Sequence, residues 1–399
     1  MIHVKRYFAI LAVGLMVACN SEQSSETVFT VDSNGEPFHA LPVYTDLPQD
    51  LLDVAGNICL QSNTDQIVSG QIEEVSDAQY RLWWLASSND GEPVRYSLVA
   101  DAECGSESFN WHRITDESIQ LRLGQQALIQ YEHPVYNPDE VEMTKKPFHH
   151  LFDPAGGDLI TKGPGGLYSH HRGIFFGYNH VYINDEQIDI WHARDGERSE
   201  HLDIIREITG PVTGGHLVTI GWKDHDGNVF LDENREIRIF SVTDNVVIVD
   251  FKSTLQAIDT PVILDGDRQH AGVQFRAAQY VAENADQTRF IRPEYLEHLD
   301  QDNEISGDEM MDLPWNAMYF NVEGESYTVA YISHPSNPEN AEMSERLYGR
   351  FGEFFRYELD EGESLTVNYR FVITRGELAG EEIDRFSHFY TNPPVVELQ

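Results

Sequence analysis

Apolar and polar positions alternate in short runs along most of this chain, and no long stretch carries helical periodicity. SIQLRLGQQALIQYE (118–132) alternates around a Gly124 turn. HLVTIGWKDHDGNVFLDENRE (216–236) sets Asp226-Gly227-Asn228 between two strands, a strong hairpin signal. REIRIFSVTDNVVIVDFKSTL (235–255) reads as two strands joined at Thr243-Asp244-Asn245. SYTVAYISH (326–334) and RYELDEGESLTVNYRFVIT (356–374) continue the pattern, the latter turning at Asp360-Glu361-Gly362. Helices are expected to be few and short, EEIDRFSHFY (381–390) being the best candidate. The expected class is all-β: antiparallel sheets packed as a sandwich, or two sandwiches in series.

Prolines and charges gather in EHPVYNPDEVEMTKKP, near residue 133. That shift predicts an N-terminal β module over 37–132 and a main β domain over 133–399 that holds the chemistry. With 41% hydrophobic residues in 399, the chain can fill a sizeable core. Its 67 acids against 27 bases give a formal charge of −40, which repels phosphates and excludes nucleic acid as a partner. Such a surface suits a salty, solvent-facing habitat.

The opening MIHVKRYFAILAVGLMVACN has a basic start at Lys5 and Arg6, an apolar centre and small residues before Cys19. It reads as an export signal (1–19), too short to span a bilayer. MVAC is similar to a bacterial lipoprotein cleavage box, with Met16 where leucine is commoner, which predicts lipidation at Cys19. Asn20 then directs the protein to the outer membrane, facing the periplasm or the cell surface. Plain secretion is the alternative. The polar run that follows predicts a flexible tether over 20–36. Cys59 and Cys104 remain. In an oxidising compartment they are expected to pair, at a gain of roughly 4 kcal/mol by the loop-entropy argument, two free buried thiols being the alternative.

Seven of the 17 histidines fall between 149 and 201, including the doublets His149-His150 and His170-His171. On a strand, adjacent side chains point to opposite faces, so one of each doublet would face a given pocket. RQHAGVQFRA (268–277) spaces His270, Gln274 and Arg276 evenly, and ISHPSNP (332–338) ends a strand at His334.

KKPFHHLFDPAGGDLITKG, SHHRGIFFGYNHVYINDEQIDIWH, GDRQHAGVQFR and ISHPSNP together resemble, in order and spacing, the PmoA-like bacterial family of unassigned function. The resemblance runs from about residue 40 to the C-terminus, and His170-His171-Arg172-Gly173 is its most specific part. It implies a β-supersandwich like that of galactose mutarotases and several polysaccharide lyases, and a place beside carbohydrate-degradation systems. It implies site residues His170, His171, Arg172, Arg276 and His334, with His270 less firmly. The family's inherited methane-oxygenase label does not suit this chain, because methane oxidation needs membrane-embedded copper machinery and no spanning helix follows the signal.

Arginines, histidines and Tyr168 suit a sugar acid. Arg172 or Arg276 would hold the carboxylate and acidify the adjoining C–H. His170 or His171 would remove that proton, and Tyr168 or His270 would protonate the departing oxygen. The expected activity is therefore β-elimination on an oligosaccharide at a uronic acid, by a lyase or a dehydratase. Trp191 and Trp315 are the candidate sugar-stacking planes. This reading requires no cofactor. A competing one gives three imidazoles from His170, His171, His270 and His334 to zinc or manganese. Two further readings are hydrolysis by Asp267 with Glu353 or Asp153, and a non-catalytic glycan-binding surface lipoprotein. Oligomeric state is not set by the sequence.

Overall fold

A computed structural model describes residues 27–48, 58–76, 78–99, 104–105, 107–184, 186–301 and 307–399. Three of the predicted hairpins form where their turn residues stand. Ser118–Leu123 pairs with Gln126–Glu132 around Gly124, which adopts φ +58°. Gly214–Lys223 pairs with Val229–Thr243 around Gly227, and Val229–Thr243 pairs with Val246–Ala257. The predicted helix spans Gly380–Thr391.

Two eight-stranded antiparallel sheets make the main sandwich. The first runs, in spatial order, Glu342–Arg346, Arg350–Phe354, Ala271–Arg276, Ile174–Tyr178, Phe148–Leu151, Gln126–Glu132, Ser118–Leu123 and Phe109–Thr115. The second is centred on Val246–Ala257 and Ser364–Arg375. Strand alternation decides which side chains lie between them. Val273, Phe275, Ile174 and Phe176 enter the shared core with Val249, Phe251 and Phe371. Gln274 and Arg276 take the opposite face, where Phe175 packs with Phe148 and Trp191. The first sheet is thus mostly apolar inward, His149 and Glu353 excepted, and carries further buried polar groups on its outer face.

A seven-stranded sheet built from residues 28–99 and Val395–Leu398 stands beside the sandwich with its own core around Phe29, Leu60 and Trp84. It is tied to the second large sheet by Glu73, which accepts from Arg238 Nη1 and Nη2 at 2.8 and 2.9 Å. Cys59 and Cys104 form a disulfide, as expected.

Three expectations need correction. Val28–Asp32 is not tether: VFTVD alternates, and it pairs with both Val94–Val99 and Val395–Leu398. The division near 133 does not exist, because Phe109–Thr115, Ser118–Leu123 and Gln126–Glu132 belong to the same sheet as Phe148–Leu151. The sheet boundary instead falls between Val99 and Phe109. Finally, Tyr357–Leu359 and Ser364–Arg375 flank the predicted turn but do not pair. The former joins a four-stranded sheet beside Val262–Asp265. The signal segment, Cys19 and residues 20–26 of the tether lie outside the described residues. Among those residues, no helix is long and apolar enough to cross a membrane.

Candidate functional site

The segment 163–173 leaves the sheet as a loop and returns to it. Lys162 holds it from below, its Nζ donating to the carbonyls of Gly163, Gly165 and Tyr168. Tyr168 adopts φ 54° and the His171 amide donates to its carbonyl at 3.0 Å. Because His170 and His171 lie in this turn rather than on a strand, the alternation rule does not govern them. Their rings converge, with centroids 4.3 Å apart. The rule does hold for the strand doublet. His149 points inward and its Nε2 lies 2.9 Å from that of His216, while His150 faces outward and meets Thr161.

Two more imidazoles reach the same place, and each is held the same way. His270 Nδ1 lies 2.8 Å from Asp267 Oδ1, and His192 Nδ1 lies 2.8 Å from Asp189 Oδ2. Both pairs are Asp-x-x-His, in a turn. Asp267 also accepts from the Asn179 side chain at 2.8 Å, and Asp189 from the His192 amide at 2.8 Å, so both carboxylates are themselves oriented. His171 stacks beside His270 with an interplanar angle of 15°. Burial, reinforced by Lys146, pushes His170 down to about 2. Burial and the adjacent Arg350 push His171 well below the ordinary histidine range. Both rings are neutral at physiological pH.

The outer face of the first sheet also carries a row of arginines. Arg276 pairs in register with Arg350, and Arg350 with Arg346, so three guanidinium side chains stand across three adjacent strands. All three are buried. Arg276 donates to the carbonyls of Tyr348 and Ala277, Arg350 to Gln274 Oε1 and Ser344 Oγ, and Arg346 to the Glu345 carbonyl. Among the described residues none of the three forms an ion pair, and Arg276 Nε, Arg276 Nη2 and Arg350 Nε lack any partner. Like charges directly opposite on adjacent strands repel. Lys146 is fully buried against Phe175 and donates to the Trp191 carbonyl at 2.5 Å, and burial pushes its ammonium group well below the usual lysine range.

Arg172 has a different job. Its side chain is buried and donates to the Glu142 carbonyl, Glu142 Oε1 and the Ser169 carbonyl. Glu142 sits at about 2, since hydrogen bonds from Lys145 and Ser169 and the charge of Arg172 outweigh the burial that would raise it. Arg172 therefore locks the turn, which corrects its assignment as a substrate clamp.

Three other assignments also change. Trp191 is 1% exposed and forms the floor beneath His171, so no sugar can stack on it. Trp315 is equally buried in a separate core, donating to Asp384 at 2.7 Å. His334 contacts Ser336 and Tyr390 and lines a separate cavity of about 670 Å³ with Glu353 and His388. Tyr168 is 44% exposed at the rim, its ring 4.7 Å from that of Tyr348. Asp267, Glu353 and Asp153 do not share a site: Asp267 holds His270, whereas Glu353 bonds Ser333 and Asp153 faces Tyr327 and Arg375. His192, Asp189, Lys146, Arg346 and Arg350 were not singled out in the sequence. The repeated Asp-x-x-His spacing and the arginines flanking the RLYGR turn were the available signals.

A family profile described as "Family of unknown function (DUF6807)" matches residues 118–387. The chain belongs to this family. The DUF6807 match covers the histidine turn, both Asp-x-x-His pairs and the arginine row, and lies between the first six strands of the seven-stranded sheet and its last, Val395–Leu398. No curated protein matches in sequence. Among solved structures, an alpha-mannosidase from Enterococcus faecalis V583 is similar at 10% identity and a TM-score of 0.47, over 94% of this chain. The match covers 46% of the mannosidase, so the chain spans less than half its length.

Proposed function

We propose that the outer face of the first sheet binds an acidic sugar of an oligosaccharide and cleaves it by β-elimination. The observation that carries this is the row Arg276–Arg350–Arg346, buried and, among the described residues, without an ion-paired carboxylate, in a protein of formal charge −40. Guanidinium groups desolvated without a counter-ion are costly, and a bound carboxylate would complete them in bidentate geometry. His171 lies beside this row as a neutral imidazole whose Nδ1 is unpartnered. Tyr168 stands at the rim.

In this reading the arginines hold the uronate carboxylate and stabilise charge developing on it. His171 takes the proton from the carbon beside the carboxylate. That electron pair becomes the new carbon–carbon double bond, the bond to the β-oxygen breaks, and Tyr168 protonates the leaving oxygen. A short oligosaccharide suits the site better than a long polyanion, which the acidic surface would repel. The lipoprotein-like leader supports a tether at Cys19 to the outer membrane.

Uronate-containing oligosaccharides are incubated with the purified protein while ultraviolet absorbance of a conjugated double bond is followed. Absorbance should rise with wild type and not with Arg350→Gln or His171→Ala. Reducing ends released without that absorbance would replace elimination with hydrolysis. Saturable binding with no product would leave a glycan-binding protein.

A further inference from the structure

Three separate segments each deliver one imidazole to a single point. These are the turn at 168–171, the loop after Glu186–Ile188 and the turn before Ala271–Arg276. One ring nitrogen from each of His170, His192 and His270 lies within 4.8 Å of the others. The ring centroids are 4.8 Å apart for His170 and His192, 5.3 Å for His170 and His270, and 4.5 Å for His192 and His270. No hydrogen bond joins any two of the three rings, and His170 Nε2 is buried without a partner.

The surroundings fix which nitrogens are free. In His192 and His270 the Nδ1 faces a carboxylate, so Nδ1 carries the proton and Nε2 keeps its lone pair. A histidine bound through one nitrogen while the other donates to an oriented carboxylate is the usual outer support of a metal ligand. Here that arrangement occurs twice within one cluster. Asp189 and Asp267 would also balance the charge of a dication.

We propose that His170, His192 and His270 bind one divalent transition-metal ion, zinc before others, with the fourth position open to water or a ligand oxygen. Three imidazoles with no thiolate suit zinc, whereas calcium and magnesium prefer oxygen ligands. In a tetrahedral zinc site the ligand nitrogens stand roughly 3.4 Å apart, so the rings would draw inward by about 1 Å. The ligand set differs from the one the sequence suggested: His192 enters, while His171 and His334 stay outside. The inference goes beyond the elimination reading and does not depend on it. Metal bound without any double-bond product would uphold it while overturning that reading.

The full chain is stripped with a chelator, dialysed and titrated with zinc sulfate alone, and separately with cobalt chloride. One equivalent of zinc should bind and raise the melting temperature, and cobalt should give the intense visible bands of a tetrahedral site. His192→Ala and His270→Ala should abolish stoichiometric binding. Asp189→Asn and Asp267→Asn should weaken it by about 10–100-fold. His334→Ala should leave it unchanged. If an alanine variant fails to fold, the asparagine variants carry the test, since they keep side-chain volume. Failure of folded wild type to bind zinc at micromolar concentration, or binding that survives both histidine substitutions, would overturn the proposal.

Discussion

Gly173 passes so close to His149 that a Cβ on it would fall 2.0 Å from the His149 carbonyl oxygen. Gly173 also adopts φ +37°, which a side chain disfavours. This contact lets the histidine turn rejoin the sheet directly after Arg172. Gly173→Ala is expected to destabilise the protein by more than the about 1–3 kcal/mol of backbone strain alone, because the backbone must also shift. Gly324→Ala, at φ +97° with nothing within 4 Å, serves as the strain-only comparison. Urea unfolding of both variants checks this, and equal losses would refute it.

The arginine row predicts opposite effects on stability and binding. Arg276→Met removes a buried cation that has no ion-pair partner among the described residues, so the free protein should be as stable as wild type or more stable by up to about 2 kcal/mol. Affinity for a uronate oligosaccharide should fall at least tenfold, by about 1.4 kcal/mol or more. Chemical unfolding and calorimetric titration measure the two effects. A large stability loss would make Arg276 a tie for the Tyr348 carbonyl rather than a ligand group.

Glu353 faces the sandwich interior, and burial raises it to about 7 despite the hydrogen bond from Ser333 Oγ at 2.8 Å. Its folded state therefore holds a proton that the unfolded state has lost. The stability this provides is complete below about pH 4.5 and disappears as pH rises through about 7. Relative to Glu353→Gln, wild type should lose on the order of 3 kcal/mol across that window. Unfolding free energies at pH 4.5, 6 and 8 test the slope, and parallel profiles for the two proteins would contradict it.

Glu73 accepts from Arg238 across the junction between the seven-stranded sheet and the sandwich, and also from Trp83 Nε1 at 2.9 Å. Glu73→Gln leaves the Arg238 charge buried with only the partly exposed Glu236 to answer it. The expected loss is about 3–5 kcal/mol by equilibrium unfolding. Replacing Glu73 and Arg238 together with apolar residues should recover most of it. A single-variant loss under 1 kcal/mol would rule out this pair as the tie.

Much of the fold was legible because turn chemistry is local: Asp226-Gly227 and Gly124 announce their hairpins within a few residues. Val28–Asp32 was missed because five alternating residues sit between polar runs, and its partners lie far away in sequence. The site was half legible. His170, His171 and His270 carry their chemistry in their residue types, and Asp-x-x-His marks their neighbour His192. The pairing of Arg276 with Arg350 depends on the register between strands in which these two residues stand 74 apart in the chain, which no local pattern encodes. Trp191, Trp315 and His334 show the converse limit. Their residue types suited a sugar site, but the fold gave them addresses in a floor, a remote core and another cavity.

The strand Val395–Leu398 returns to pair with Val28–Asp32, so the seven-stranded sheet is contributed by both ends of the described chain. What is contiguous in space is therefore split in sequence. Recombination that exchanged this unit between relatives would need two coordinated breakpoints, one near residue 100 and one near residue 393. A single crossover would leave one sheet short of its edge, which favours inheritance of the whole as a block.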